Sequence, residues 1–467
     1  MSIPYRFDQT AVAADLRAEY GSLEPGSETG VVVSVAGRLM LRREQGKLAF
    51  GTLDDATGRI QLFAGNAWTA EFAEFCRLSL GDWIGAKGEV VATRTGELSI
   101  KVAEWVLLAE AKRQFPDKWH GISDPDLRYR QRYVDTWVTE GARDTLLARA
   151  KVLRGMRRFL EDRGFIEMET PVLHSVAGGG TAKKFNTHFN ALDTDFELRI
   201  ASELYLKRLV VAGFTKVFEI SRVFRNEGLS PRHNPEFTML ELQEAYTDYD
   251  DMMTLFEELV AHLATEVCGT TKLTYGGRDL DLTPPWKRAT MEDLIEESIG
   301  VRIDLNTPVE ELRRVANEHG VPIEDSYGAG KLLVEIYEKT TETNLWGPVF
   351  VLDHPKETSP LARDHRERRG YAERFEPIVA GRELGNAFTE LIDPVEQRNT
   401  FEAQARQKAG GDDEAMEVDE DYIRALEYGL PPNGGLGIGI DRLVMLLTDS
   451  QNIRDVLPFP ALRPEVF

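Results

Sequence analysis

Alternation of apolar and polar positions dominates the first hundred residues. The runs Gly30-Val-Val-Val-Ser-Val-Ala-Gly-Arg-Leu-Met-Leu-Arg42, Leu48-Ala-Phe-Gly-Thr-Leu-Asp54 and Arg59-Ile-Gln-Leu-Phe63 read as strands separated by Gly- and Asp-containing turns. A helical stretch near 68–79 interrupts them, and Trp83-Ile-Gly-Ala-Lys-Gly-Glu-Val-Val-Ala92 and Glu97-Leu-Ser-Ile-Lys-Val102 add two more. Five short strands with a helix between the third and fourth fit a Greek-key barrel of the OB type, whose strand face and loops bind oligonucleotides. The same pattern also suits a small structural barrel.

Beyond Pro116 the pattern changes. A charged connector, Asp124-Pro-Asp-Leu-Arg-Tyr-Arg-Gln-Arg-Tyr-Val134, precedes a helix expected over 143–163 and stopped by Gly164. Strands and helices then mix, with β runs at 214–225, 237–246, 349–353 and 375–391. Helical periods fill 252–345, where Pro284-Pro-Trp286 breaks any strand, so that stretch is expected to be an insertion. The acidic run Gly411-Asp-Asp-Glu-Ala-Met-Glu-Val-Asp-Glu-Asp421 reads as a solvated loop or helix start. The expected organisation is residues 1–115 as an N-terminal extension and barrel, 116–142 as a linker, and 143–467 as a larger α+β domain.

Composition narrows the class. The 467 residues leave room for two to four folding units, and no apolar run reaches the length of a membrane span. The start, Met1-Ser-Ile-Pro-Tyr-Arg6, carries no export pattern, so a cytoplasmic location is expected. Cys76 and Cys268 are too few for a disulfide framework and are not spaced for zinc. The net charge of −22 argues against nucleic acid if taken alone. Residues 28–113, however, hold eleven Lys/Arg and eleven Asp/Glu, so the barrel is neutral and compatible with RNA.

Three glycine-rich segments imitate phosphate loops. Gly328-Ala-Gly-Lys331 lacks both the earlier glycine and the following Ser/Thr of a P-loop. Gly435-Leu-Gly-Ile-Gly439 is one residue short of the dinucleotide spacing, and Gly178-Gly-Gly-Thr181 reads as a turn. The informative chemistry lies elsewhere. Between two β runs, a loop holds Arg225, Glu227, Arg232 and His233. Strand alternation then puts Phe237, Met239, Glu241 and Gln243 on one face, and Asn386, Phe388 and Glu390 on one face of a second strand. Glu376 and Glu383 lie just before the latter. Cations for phosphates, a ring for a base and paired carboxylates for a divalent ion would make an ATP site without a P-loop.

These residues resemble the class II aminoacyl-tRNA synthetases, and more closely the lysyl-tRNA synthetases. Phe165-Ile-Glu-Met-Glu-Thr-Pro171, Val223-Phe-Arg-Asn-Glu-Gly228 through Phe237, and Gly435-Leu-Gly-Ile-Gly-Ile-Asp-Arg442 are similar to the three class motifs. Ala201-Ser-Glu-Leu-Tyr-Leu-Lys-Arg-Leu209, His233-Asn-Pro-Glu-Phe-Thr-Met-Leu-Glu241 and Gly385-Asn-Ala-Phe-Thr-Glu390 carry the likeness to the lysine enzymes. The resemblance implies an OB-type anticodon barrel and a catalytic domain built on an antiparallel sheet flanked by helices. It implies activation of L-lysine with ATP to lysyl-adenylate, transfer to tRNA(Lys), Mg2+ and a homodimer.

By the same resemblance, Arg225 and Arg442 are catalytic. With Glu227, Arg232, His233, Asn234 and Phe237 they would hold ATP. Lysine would be held by Gly179, Glu203, Glu241, Gln243, Asn386, Phe388 and Glu390, and Mg2+ by Glu376 and Glu383. Arg38, Phe50, Gln61 and Glu97 would read the anticodon. The chain departs from the family at Gln243, where Tyr is usual, at Gly180 and Lys183-Lys184, and at Ala387. Aspartyl and asparaginyl synthetases share the barrel and motifs, but their substrates call for cationic or amide partners where this chain offers Glu203 and Glu390. A non-catalytic relative would have lost a motif arginine or a metal carboxylate, and none is lost.

Overall fold

The computed structural model describes residues 3–113, 115, 121–409 and 416–465. It divides into two compact units, Met1–Asp124 and Pro125–Phe467. In the first, β1 (Glu28–Gln45), β2 (Leu48–Asp54), β3 (Arg59–Gly65), β4 (Trp83–Ala92) and β5 (Leu98–Ala109) close a barrel in the order β1-β2-β3-β5-β4. Only β3 and β5 run parallel; the other pairs are antiparallel. Alternation sorts the side chains. Ala49, Leu53, Ile60 and Leu62 are buried inside, while Phe50, Thr52, Gln61 and Phe63 point outward and stay partly exposed. The turn of helix Phe72–Phe75 lies between β3 and β4, completing the OB pattern.

The second unit is built on a sheet of β6 (Ile166–Glu167), β7 (Lys216–Phe224), β8 (Glu236–Ala245), β9 (Lys287–Thr290), β10 (Val349–Leu352), β11 (Arg374–Val379), β12 (Arg382–Glu383), β13 (Gly385–Thr389) and β14 (Asn433–Gly439). Its order is β9-β10-β11-β13-β14-β8-β7-β6, with β12 beside β11. The interior pairs are antiparallel, and the outermost pair at each end is parallel. Its helices include α1 (Ala142–Glu161), α2 (Glu203–Val211), α3 (Tyr249–Cys268), α4 (Met291–Ile299), α5 (Val309–Glu318), α6 (Ala329–Thr340), α7 (Glu420–Glu427) and α8 (Ile440–Leu447). Helix α1 buries Val152, Met156 and Phe159, spaced three and four apart, and Gly164 turns the chain out of it at φ +81°.

Three boundaries differ from the sequence expectation. The stretch taken as a linker is helical from Pro125, with helices Pro125–Arg130 and Arg132–Val138 inside the second unit; residues 116–120 lie outside the described ones. The insertion is narrower than 252–345. Helix α3 buries Met252, Phe256, Leu259 and Leu263 in the core of the main sheet, and β9 pairs with β10, so only α4 to α6 are added, packed in a second core against Ala289, Val349, Val351 and Ile378 of the sheet. The β run at 375–391 is broken by a turn in which Ala380 and Gly381 both have positive φ, the geometry that folds a two-residue hairpin. The acidic run survives only in part among the described residues: 411–415 lie outside them, while Asp419 caps α7 by accepting from the Tyr422 amide.

The sheet rests on an aromatic cluster. Phe350 is fully buried, with its ring 5.3 Å from Trp286 and 5.0 Å from Phe375. Phe350→Ala is expected to destabilise this unit by about 3–5 kcal/mol, from lost transfer free energy and the cavity left behind. Urea unfolding followed by tryptophan fluorescence checks this.

Candidate active site

One face of the catalytic sheet lines a cavity of about 390 Å³, within the range of small-molecule sites. Phe237, Met239, Glu241 and Gln243 of β8 line it together, as do Asn386 and Phe388 of β13 with Glu390 just beyond. Strands β8 and β13 flank β14, with Glu241 opposite Gly437 and Phe388 opposite Gly435. The glycines of β14 therefore make room and belong to a strand, not a phosphate loop. A Cβ on Gly435 would sit 1.9 Å from Glu390 Oε1 and 2.6 Å from Gln243 Nε2.

The hairpin loop between β7 and β8 brings Arg225, Glu227, Arg232 and His233 to the same cavity, at its exposed rim. Arg225 lies over the Phe237 ring at 5.2 Å. Across the cavity, Arg442 at the start of α8 donates to the Glu383 carboxylate at 3.0 Å and carbonyl at 2.9 Å. Its neighbour Asp441 is buried, pairs with Arg149 of α1 and accepts from the Thr238 amide at 2.8 Å, which fixes α8 against β8. Partial burial, then the Arg442 cation, holds His233 below the ordinary histidine value, so the ring is neutral at pH 7. Asn234 is buried and braces the loop, donating to the Glu236 carbonyl and accepting from the Ala461 amide.

The inner part of the cavity is acidic. Glu241 accepts from the Ser202 hydroxyl at 2.6 Å and from the Ser202 amide, yet burial pushes it up to about 7. Glu390 is fully buried. It accepts from Gln243 Nε2 at 2.8 Å and pairs with Lys207, while burial, acting against both partners, raises it to about 8. Asn433 donates in turn to Gln243 Oε1, so the Gln243 amide is bonded at both its nitrogen and its oxygen. Gly179, at φ +91°, lines the cavity beside Glu203.

Glu376 and Glu383 also line the cavity, and Arg374 holds the first at 2.6 Å while bonding Asn386 Oδ1 at 2.8 Å. Burial first, with neighbouring carboxylates including Glu376, pushes Glu338 and Glu342 up to about 7. Carboxyl groups thus crowd this wall, and Glu376 and Glu383 could share a divalent cation with phosphate oxygens, although among the described residues no three His, Cys, Asp or Glu side chains gather closely enough to hold a metal by themselves.

Two contributors escaped the sequence reading. Arg374 precedes Glu376 by two on one strand, and Lys207 follows Glu203 by four on one helix, so each shares a face with a residue already singled out.

The anticodon candidates lie on the barrel. Phe50 stacks on Phe63 at 5.2 Å with the rings 8° from parallel, and Phe63 meets Trp68 edge-on at 5.1 Å. Arg43 lies over Phe50, and Lys101 over Trp68. Gln61 is opposite Thr52, two residues from Phe50, and donates to Ser99 Oγ at 2.9 Å. Glu97 is exposed just before β5. Arg38 does not join them: its guanidinium lies 4.8 Å from both the Trp83 and Phe115 rings and donates to the Gly81 carbonyl, a bracing arrangement. Alternation from Gln61 to Phe63 was the signal for the second ring.

Comparison with known proteins agrees with this geometry. Residues 124–463 match the family model described as tRNA synthetases class II (D, K and N), and residues 33–108 match the OB-fold nucleic acid binding domain. The chain is 52% identical to the lysine–tRNA ligase of Synechococcus sp. (strain CC9311), over 99% of this chain and 96% of that protein. It is 50% identical to the lysine–tRNA ligase of Nostoc punctiforme, over 99% of this chain and 84% of the relative.

Proposed function

The chain belongs to the class II tRNA synthetases as a member of the lysine–tRNA ligases, and from that premise we propose which residues carry the joining of lysine to tRNA. The observation that supports the assignment best is convergence: two strand faces, a cationic loop and α8 meet on one cavity whose inner part holds Glu203 and Glu390.

The lysine carboxylate attacks the α-phosphorus of ATP; a carboxyl oxygen–phosphorus bond forms and the bond to pyrophosphate breaks. The terminal ribose hydroxyl of the tRNA then attacks the lysyl carbonyl and AMP leaves. The first nucleophile is already an anion, so positioning and charge stabilisation supply the catalysis. Arg225 bears on the α-phosphate and the lysine carboxylate, with Asn386 at the latter. Arg232 and His233 meet the outer phosphates, Glu227 meets the adenine edge, and the adenine lies between Phe237 and Arg442. Glu376 and Glu383 would hold Mg2+, which would supply neutralisation of phosphate charge. Glu203 and Glu390 take the ε-ammonium, Glu241 and the Gly179 carbonyl the α-ammonium, and Phe388 the alkyl chain.

This pocket makes lysine binding pH-dependent. Glu241 and Glu390 have pKa values raised to about 7 and about 8, and the substrate ammonium groups favour their ionised forms. Below those values lysine must displace a proton, so its KM is expected to fall as pH rises from 6 to 8, by up to about tenfold per unit, while the KM for ATP stays flat. Lysine-dependent ATP–pyrophosphate exchange across that range measures it.

On the barrel, Phe50 stacks on an anticodon base, and Gln61 and Glu97 bond base edges. Phe50→Ala should leave exchange unchanged and lower kcat/KM for tRNA charging by about 10- to 100-fold, the worth of one base stack. Among the described residues no helix is long and apolar enough to cross a membrane. A cytoplasmic homodimer is part of the proposal, supported by the exposed apolar Leu147, Ile166, Val172 and Leu173 on α1 and the segment after it. Light scattering of the eluting protein tests the dimer.

A further inference from the structure

Lys207 is a fully buried lysine in a protein whose substrate is lysine. On α2 it follows Glu203 by one helical turn, and its Nζ donates to Glu203 Oε1 at 2.6 Å. The same Nζ pairs with Glu390, itself fully buried, and lies 5.4 Å from the centre of the Phe388 ring. Glu203, Phe388 and Glu390 line the cavity, whereas Lys207 lies behind them and is not part of the lining. One buried ammonium thus bridges the two carboxylates that face the substrate side chain.

We propose that Lys207 is a specificity-determining positioning residue: by bridging Glu203 and Glu390 from behind, it holds both oxygens in place and offsets one of the two carboxylates, so that a single substrate ammonium completes the balance. The inference rests on the reading of Glu203 and Glu390 as ligands of the ε-ammonium. Two carboxylates alone, drawn together out of water, repel and take up a proton. With Lys207 between them they can stay close, and the incoming ammonium draws the remaining proton off Glu390 and balances the charge that is left. An aliphatic side chain of the same length would fill the space without doing either.

The charged and titratable groups facing this pair come from three directions. Glu203 lies on α2, Glu390 lies beyond β13, and Tyr422 of α7 faces both carboxylates and Lys207, with Arg208 next to it. Burial acts against the Lys207 charge, but Glu203 and Glu390 outweigh it and lift it above the ordinary lysine value, so Lys207 stays an ammonium throughout the working pH range.

The test uses Lys207→Met, Glu390→Gln and the double variant in the full chain, with KM for lysine and for ATP taken from pyrophosphate exchange between pH 6 and 9. Lys207→Met should raise the lysine KM about tenfold or more at pH 7 and leave the ATP KM within about twofold. The pH at which the lysine KM levels off should move up by about one unit, because the carboxyls lose the cation that favours their ionised forms. In the Glu390→Gln background the bridge is already broken and only the Glu203 contact is left, so the added Lys207→Met should change the lysine KM by less than about threefold. That comparison also decides the matter if the single variant fails to fold: a double variant matching Glu390→Gln supports the proposal, and one that loses a further factor of about ten overturns it. An unchanged lysine KM and pH profile in Lys207→Met would reduce Lys207 to a space-filler. A lower lysine KM would mean that it competes with the substrate. If instead Glu390→Gln leaves the lysine KM unchanged, the reading of Glu390 fails, whatever Lys207 does.

Discussion

Replacing Glu390 by Gln is expected to raise the KM for lysine by about 100-fold or more while moving the KM for ATP by less than about threefold. Glu390 is fully buried and bonded to Gln243 and Lys207, and it lies in the inner part of the cavity. The amide keeps the shape but removes the charge, so the substrate ammonium would be desolvated against a neutral partner. Breaking one half of a buried charge pair costs about 2–5 kcal/mol, which is the source of that factor. Equal losses for lysine and ATP would show that Glu390 supports the fold of the site and does not select the amino acid.

The second large effect belongs to Arg225. Its guanidinium lies over Phe237 at the junction of the cationic loop and the β8 face, where the proposed mechanism brings the α-phosphate and the lysine carboxylate together. Negative charge gathers on the non-bridging oxygens as the new bond forms, and a donor aimed there lowers the barrier more than it lowers the ground state. Arg225→Ala should therefore reduce kcat for exchange by about 10²–10³-fold, with a smaller change in either KM. A loss confined to the KM for ATP would make it a binding residue only. Thermal unfolding of the variant should match the parent, because Arg225 is only partly buried and its side chain makes few bonds within the protein.

Much of this site could be read from strand alternation alone. Period two along 237–243 and 386–390 sorted Phe237, Met239, Glu241, Gln243, Asn386, Phe388 and Glu390 onto the faces that line the cavity. The barrel was legible for the same reason, and α1 from its three-and-four spacing. What the pattern could not show was which distant residue stands behind each of those faces. Lys207 looks like one more helix cation until the fold sets Glu390 against it, and Arg374 gains meaning only when β13 brings Asn386 within reach. Arg38 shows the opposite: the resemblance implies a base contact for it, whereas tertiary packing sets its guanidinium against the Trp83 and Phe115 rings. The insertion was drawn too wide because α3 has an ordinary helical period, and only the core shows that this helix belongs to the main sheet.

Gln243 shows how a departure from a family pattern can be absorbed. Its amide donates to Glu390 and accepts from Asn433, so it leaves no unmet polar atom, and Gly435 leaves space beside it. The carboxylate is held by an amide instead of an aromatic hydroxyl, and the pocket keeps its charge.

In the proposed complex the ε-ammonium of lysine sits between Glu203 and Glu390 while the adenine lies between Phe237 and Arg442. A crystal structure of the full chain with L-lysine and a non-hydrolysable ATP analogue tests it most directly. The expected result is the ammonium within hydrogen-bond distance of both carboxylates, Lys207 still behind them, and the adenine ring stacked on Phe237. Lysine bound with its ammonium away from Glu390, or an adenine outside the Phe237–Arg442 gap, would contradict it.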